Sequence, residues 1–140
     1  MKVVAFDPFL TPERAIELGV EKADLDTLLA KADFITLHTP LTDQTRNILS
    51  KENLAKTKKG VRIVNCARGG LVDELAVRDL LVSGHIAGAG FDVLTKEPPP
   101  EDNVLLNLRL PNFILTPHSA WASSQAMQTV IAENYVGLPL

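Results

Sequence analysis

Short runs rich in Val, Ile and Phe recur along the chain, separated by stretches where apolar residues return at helical spacing. Five runs, at 2–6, 33–38, 61–65, 86–91 and 112–116, have the length and β-branched content of strands. Their alternation with helical segments predicts βαβ units and a parallel sheet, hence an α/β fold. After the first strand, Thr11 caps a helix with Pro12 at its first position and Glu13 in its first turn, and Gly19 ends it. Arg14 occupies the third position after that cap, so no capping box forms. Asp24 starts a second helix reaching Ala30. Asp73 starts a third, with Leu75, Leu80 and Leu81 as its apolar positions and Gly84 past its end. Ser123 or Ser124 opens the last, with Met127, Val130, Ile131 and Tyr135 along one side. The segment "KEPPPED" at 96–102 must be loop, because consecutive prolines remove amide donors and fix φ.

Composition narrows the class. At 140 residues the chain is one domain's worth, able to bury roughly two thirds of its unfolded surface. With 46% hydrophobic and 22% charged residues it reads as globular. The net charge of −3 comes from 14 basic and 17 acidic residues intermixed, which sets up no field for nucleic acid or an anionic membrane. "KTKK" at 56–59 reads as a solvated turn. Cys66 is the single cysteine, so no internal disulfide forms. With no apolar run near the roughly 18 residues a span requires, and no signal-peptide pattern after Met1, a cytoplasmic setting is expected.

In an open parallel sheet, ligands lie beyond the carboxyl ends of the strands. The residues just past the five predicted strands are Asp7, then His38, Thr39 and Pro40, then Asn65 to Arg68, then Asp92, then His118. Every tip carries a polar group. Asp7 stands where a dinucleotide-binding fold places a carboxylate against the adenosine ribose, and with no arginine immediately after it NAD is expected over NADP. Asp-Pro is also a common turn starter. His118 alone reads equally as a packed histidine, and Glu97 as a solvated loop carboxylate. Paired, the carboxylate favours the imidazolium and makes a proton donor for reducing a carbonyl, or an acceptor for the reverse. Arg68, the only charge in "VNCARGG", then offers a planar fork for a substrate carboxylate. Cys66 has no activating partner in the pattern and reads as a small wall residue.

The stretches "AFDPF", "ADFITLHTPLTDQTRNIL", "KKGVRIVNCARGGLVDE", "SGHIAGAGFDVLTKEPP" and "LPNFILTPHSAW" resemble the D-isomer specific 2-hydroxyacid dehydrogenase family. They cover nearly the whole chain. Most of it is similar to the phosphoglycerate dehydrogenase branch, while "HSAWASSQAMQ" is closer to the glycerate dehydrogenase and hydroxypyruvate reductase branch. The resemblance implies a Rossmann-like doubly wound sheet, NAD as cofactor and a small 2-hydroxy or 2-oxo acid as substrate. It implies that Arg68, Glu97 and His118 are catalytic. It further implies that Asp7, Thr39, Pro40, Cys66, Ala67, Arg68, Asp92, His118, Ser119 and Ala120 contact the cofactor, with no metal.

The family carries a G-x-G-x-x-G turn roughly 20 residues before the ribose acid, whereas this chain starts six residues before Asp7. It therefore reads as a partial NAD-binding domain over 1–140, without the family's first strand, glycine-rich turn or substrate-binding domain. In the strand order 3-2-1-4-5-6 the lost strand is central, so its two neighbours should face each other unpaired or be forced to meet. Self-association is the expected repair. Losing two or more charge-assisted hydrogen bonds of roughly 1.5–3 kcal/mol each should lower NAD affinity about a hundredfold or more, so the chain alone is expected to be inactive. A second reading is a non-catalytic binding or assembly module of the corepressor type, which shares the fold.

Overall fold

The computed structural model describes residues 1–128. It opens with β1 (Val4–Ala5), α1 (Pro12–Leu18) and β2 (Glu21–Lys22), the two strands pairing in parallel with Val4 opposite Glu21. Thr11 accepts the Arg14 amide at 3.2 Å to start α1, and Gly19 ends it at φ 66°, a left-handed conformation that costs glycine no Cβ strain. Then follow α2 (Leu25–Lys31), capped by Asp24 on the Thr27 amide at 2.7 Å, and β3 (Phe34–Leu37). The single turn α3 (Lys51–Leu54) precedes β4 (Val61–Asn65). Next come α4 (Glu74–Val82), capped by Asp73, β5 (Ile86–Phe91) and β6 (Phe113–Leu115).

β3, β4, β5 and β6 form one all-parallel sheet in that order. The α/β fold and its parallel sheet are as the sequence predicts. Alternation decides which face is buried. In β4, Val61, Ile63 and Asn65 point inward while Arg62 and Val64 stay exposed. Val61 and Ile63 join Ile35 and Leu37 of β3 and Phe91 of β5 against Leu29 of α2, Leu54 of α3, and Val77 and Leu81 of α4. Burying each of these larger side chains is worth roughly 1.5–3 kcal/mol, which sets the helices on this face of the sheet. On the opposite face Phe34, Val64 and Ile114 remain exposed, with the Arg62 guanidinium 5.3 Å from the centre of the Phe34 ring.

The first strand is where expectation and structure part. Its ladder covers only Val4–Ala5 within 2–6, and it pairs with β2, an element too short to show in the sequence pattern. It does not join the four-stranded sheet. Among the described residues β1 and β3 do not pair with each other. A cleft of about 480 Å³ separates them, lined by Val3 and Val4 on one side and Phe34, Ile35 and Thr36 on the other. The proline-rich segment is loop, as expected. Ser123 opens the last helix, its hydroxyl accepting the Ala126 amide at 3.0 Å. Val130, Ile131 and Tyr135 lie outside the described residues. Among the described residues, no helix is long and apolar enough to cross a membrane.

Candidate active site

Strand register gathers the tips. Leu37, Asn65, Phe91 and Leu115 are successive partners across the sheet, so the chain leaves it on one line at His38, Cys66, Asp92 and Thr116. At the second tip the buried Asn65 side chain folds the turn, donating to the Arg68 carbonyl at 2.9 Å and accepting the Ala67 amide at 3.1 Å. Arg68 emerges exposed, one guanidinium nitrogen donating to the Ala67 carbonyl at 2.7 Å. The next residue must be glycine for a steric reason. A Cβ on Gly69 would lie 1.9 Å from the Leu94 carbonyl carbon and 2.3 Å from the Thr95 nitrogen, so the Arg68 turn and the loop after β5 touch backbone to backbone.

That loop carries Glu97. The Leu94 amide donates to one carboxylate oxygen at 2.9 Å, and the other lies 2.5 Å from His118 Nδ1. The Leu94 amide is the strongest influence holding the Glu97 carboxyl below the usual glutamate range; partial burial opposes it and His118 adds to it. A carboxylate only accepts, so Nδ1 carries the hydrogen and Nε2 is the ring nitrogen left to exchange a proton. His118 sits at φ 50°, a left-handed conformation, and its carbonyl accepts the Trp121 indole N–H at 2.8 Å. Asp92 builds the turn that holds it there. Only 4% exposed, Asp92 accepts the Thr116 hydroxyl and the amides of Ser119 at 2.9 Å and Ala120 at 2.8 Å. Burial pushes its carboxyl up, and those hydrogen bonds together outweigh it, leaving the net displacement downward.

Arg68, Glu97 and His118 thus line one pocket of about 200 Å³, together with Gly69, Leu94 and Leu41. Asp7 does not line it. It follows β1, exposed, with Oδ1 accepting the Phe9 amide at 2.8 Å in a turn of the kind Asp-Pro favours. Thr39 and Pro40 follow β3, Thr39 half-buried and Pro40 accepting the Thr45 hydroxyl at 2.6 Å. Cys66 is exposed and Ala67 half-buried at the end of β4, while the Ser119 and Ala120 amides are taken by Asp92. Two contributors escaped the sequence reading, Gly69 and Thr116. In the sequence Gly69 is one glycine of "VNCARGG" and Thr116 the last residue of an apolar run, and neither role shows until the fold supplies the partner. Among the described residues, no group of three metal-ligating side chains is found.

A family model described as "D-isomer specific 2-hydroxyacid dehydrogenase, NAD binding domain" matches residues 1–120. D-3-phosphoglycerate dehydrogenase of Bacillus subtilis (strain 168) is 50% identical over 133 residues, 95% of this chain and 25% of the relative. Glycerate dehydrogenase of Methylorubrum extorquens is 48% identical over 136 residues, 97% of this chain and 40% of the relative. The chain therefore spans a quarter to two fifths of the length of these relatives. Among solved structures, D-lactate dehydrogenase with NAD+ from Lactobacillus jensenii superposes with a TM-score of 0.81 at 37% identity, covering 93% of this chain and 42% of that one.

Proposed function

Given that the chain belongs to the D-isomer specific 2-hydroxyacid dehydrogenase family through its NAD binding domain, we propose that it supplies the cofactor-binding and proton-transfer residues of an NAD-dependent dehydrogenase acting on a small 2-hydroxy acid. The observation that carries this reading is the shared pocket of Arg68, Glu97 and His118, with the carboxylate 2.5 Å from the imidazole. NAD, when bound, supplies the carbon that takes up or returns the hydride. The donor set suits a dinucleotide: an exposed carboxylate, Asp7, at the end of β1, and Thr39, Cys66 and Ala67 at the ends of β3 and β4.

The remaining chemistry belongs to side chains of this chain. In the oxidising direction His118 Nε2 takes the proton of the substrate hydroxyl as the adjacent C–H bond gives up its hydride, leaving a 2-oxo acid. Glu97 holds the ring in the tautomer that frees Nε2 and offsets the charge that forms. Arg68 grips the substrate carboxylate, fixing the reacting carbon beside His118. Phosphoglycerate or glycerate is the substrate favoured by the two relatives. A cytoplasmic setting and self-association belong to the same proposal, the latter because β1 and β3 each keep an unpaired edge at the cleft.

The test joins the chain to the flanking segments that the family carries and follows NAD reduction with D-3-phosphoglycerate and D-glycerate. His118→Asn is expected to lower kcat by roughly 10²–10⁴. Arg68→Lys is expected to act mainly on KM, raising it about tenfold or more by losing the bidentate fork. NAD binding without turnover, in a protein that captures another polypeptide, would replace this reading with the assembly module. Sedimentation of the chain as a compact monomer would remove self-association.

A further inference from the structure

We infer that Glu74 is a positioning residue that clamps both ends of the segment bearing Glu97 and so fixes the carboxylate that faces His118. The catalytic meaning of this clamp rests on the function proposed above; its geometry does not. Glu74 is the first residue of α4, a place where a carboxylate ordinarily serves its own helix. Here Asp73 already caps α4 through the Ala76 amide at 3.0 Å. The Glu74 carboxylate reaches elsewhere. Oε1 accepts the Thr95 amide at 2.6 Å, 21 residues away, and Oε2 accepts the Asn103 side-chain amide at 3.0 Å, 29 residues away.

Residues 95–103 hold no helix or strand, so no backbone ladder fixes where Glu97 stands. The two Glu74 bonds fall at the two ends of that segment. At its start, consecutive amides are committed to different carboxylates, Leu94 to Glu97 at 2.9 Å and Thr95 to Glu74 at 2.6 Å. At its end, Asn103 passes the constraint inward, its Oδ1 accepting the amides of Leu105 at 2.9 Å and Leu106 at 3.0 Å, and Leu105 is 1% exposed in the core. A helix on the sheet's covered face thereby sets the position of a loop beyond the sheet's carboxyl edge. Loss of the Thr95 anchor would let the Leu94 amide drift from Glu97, the group that amide chiefly governs.

The test is made on the full chain by carboxyl-carbon NMR, titrating Glu97 in the wild type, Glu74→Ala and Glu74→Gln. Neither variant alters the charged groups that share Glu97's surroundings, His118 and Asp92 and the pocket's Arg68. Glu74→Ala is expected to move the Glu97 midpoint up toward the ordinary glutamate range. Glu74→Gln, which keeps an oxygen for Thr95, should fall between it and the wild type. A lowered melting temperature with the Glu97 midpoint unmoved would overturn the inference, leaving Glu74 a structural tie alone. If Glu74→Ala does not fold, Glu74→Gln decides by the same criterion. Failure of the dehydrogenase reading would appear as absent turnover in the assays above and would leave this midpoint shift intact.

Discussion

Between the Arg68 turn and the loop that carries Glu97 there is no room for a single methyl group on Gly69. The Cβ that Gly69→Ala adds would meet the Leu94 carbonyl carbon at 1.9 Å, and both partners are backbone, so no side chain can swing away. Overpacking of this kind costs roughly 1–3 kcal/mol or more, and the melting temperature should fall by several degrees. Gly90→Ala is the matched control: its Cβ meets nothing within 4 Å. It should melt at or above the wild-type temperature, and equal melting of the two variants would refute the steric account. The same contrast explains what single residues reveal in sequence. Arg68 and His118 were legible because charge or imidazole past an apolar strand calls for an explanation, and Glu97, on a proline-rich loop, only through its pairing with His118; the fold brings all three to one pocket. Gly69 was silent, since a glycine required by close approach reads like one required by a turn. Glu74 was silent too, its partners lying 21 and 29 residues away.

Elements were legible where a cap or a period marked them. Thr11, Asp24 and Asp73 all cap the helices assigned to them, because each side chain takes an amide only three residues on. α3 and β2 escaped, one a single turn and the other two residues long, neither with room for a repeat. β2 also carries a charged contact beside its ladder. Glu21 lies 2.5 Å from Lys31 of α2 and 2.9 Å from Lys2. The Lys31 hydrogen bond is the largest cause, followed by Lys2, that draws the Glu21 carboxyl down from 4.5 to about 2. A depressed carboxyl stabilises the folded state above its unfolded value and loses that contribution as pH falls through the folded one. The protection of the Ala23 amide, which donates to Ala5 across the β1–β2 ladder, should therefore decline from pH 4.5 toward 2. In Glu21→Gln this decline should be absent, and added salt should shrink the difference because the pair is exposed. Identical pH profiles for the two proteins, measured by amide exchange corrected for intrinsic rate, would refute it.

At the scale of the whole molecule, the core and the candidate site do not share their boundaries. The continuous apolar cluster involves residues from Leu25 to Leu115, and none of the first 23 residues joins it. Ala15 is the one buried apolar side chain in that opening segment, where Phe9, Ile16 and Leu18 are exposed. The cleft of about 480 Å³ runs between its strand and β3. Local opening is cheapest where little apolar surface is buried, so β1, α1 and β2 should exchange amides well before β4 and β5. A gap of at least tenfold in protection is expected, about 1.4 kcal/mol. Asp7 lies on the weakly held segment, whereas Arg68, Glu97 and His118 are carried by the sheet and its cluster. An NAD molecule engaging both would have to order the first in order to reach the second, so adding NAD should slow exchange in residues 1–23 more than in β4. Hydrogen exchange followed by mass spectrometry reads both effects. Equal protection of the Val4–Ala5 ladder and the centre of β4 in the free chain would show that the two sheets open as one unit.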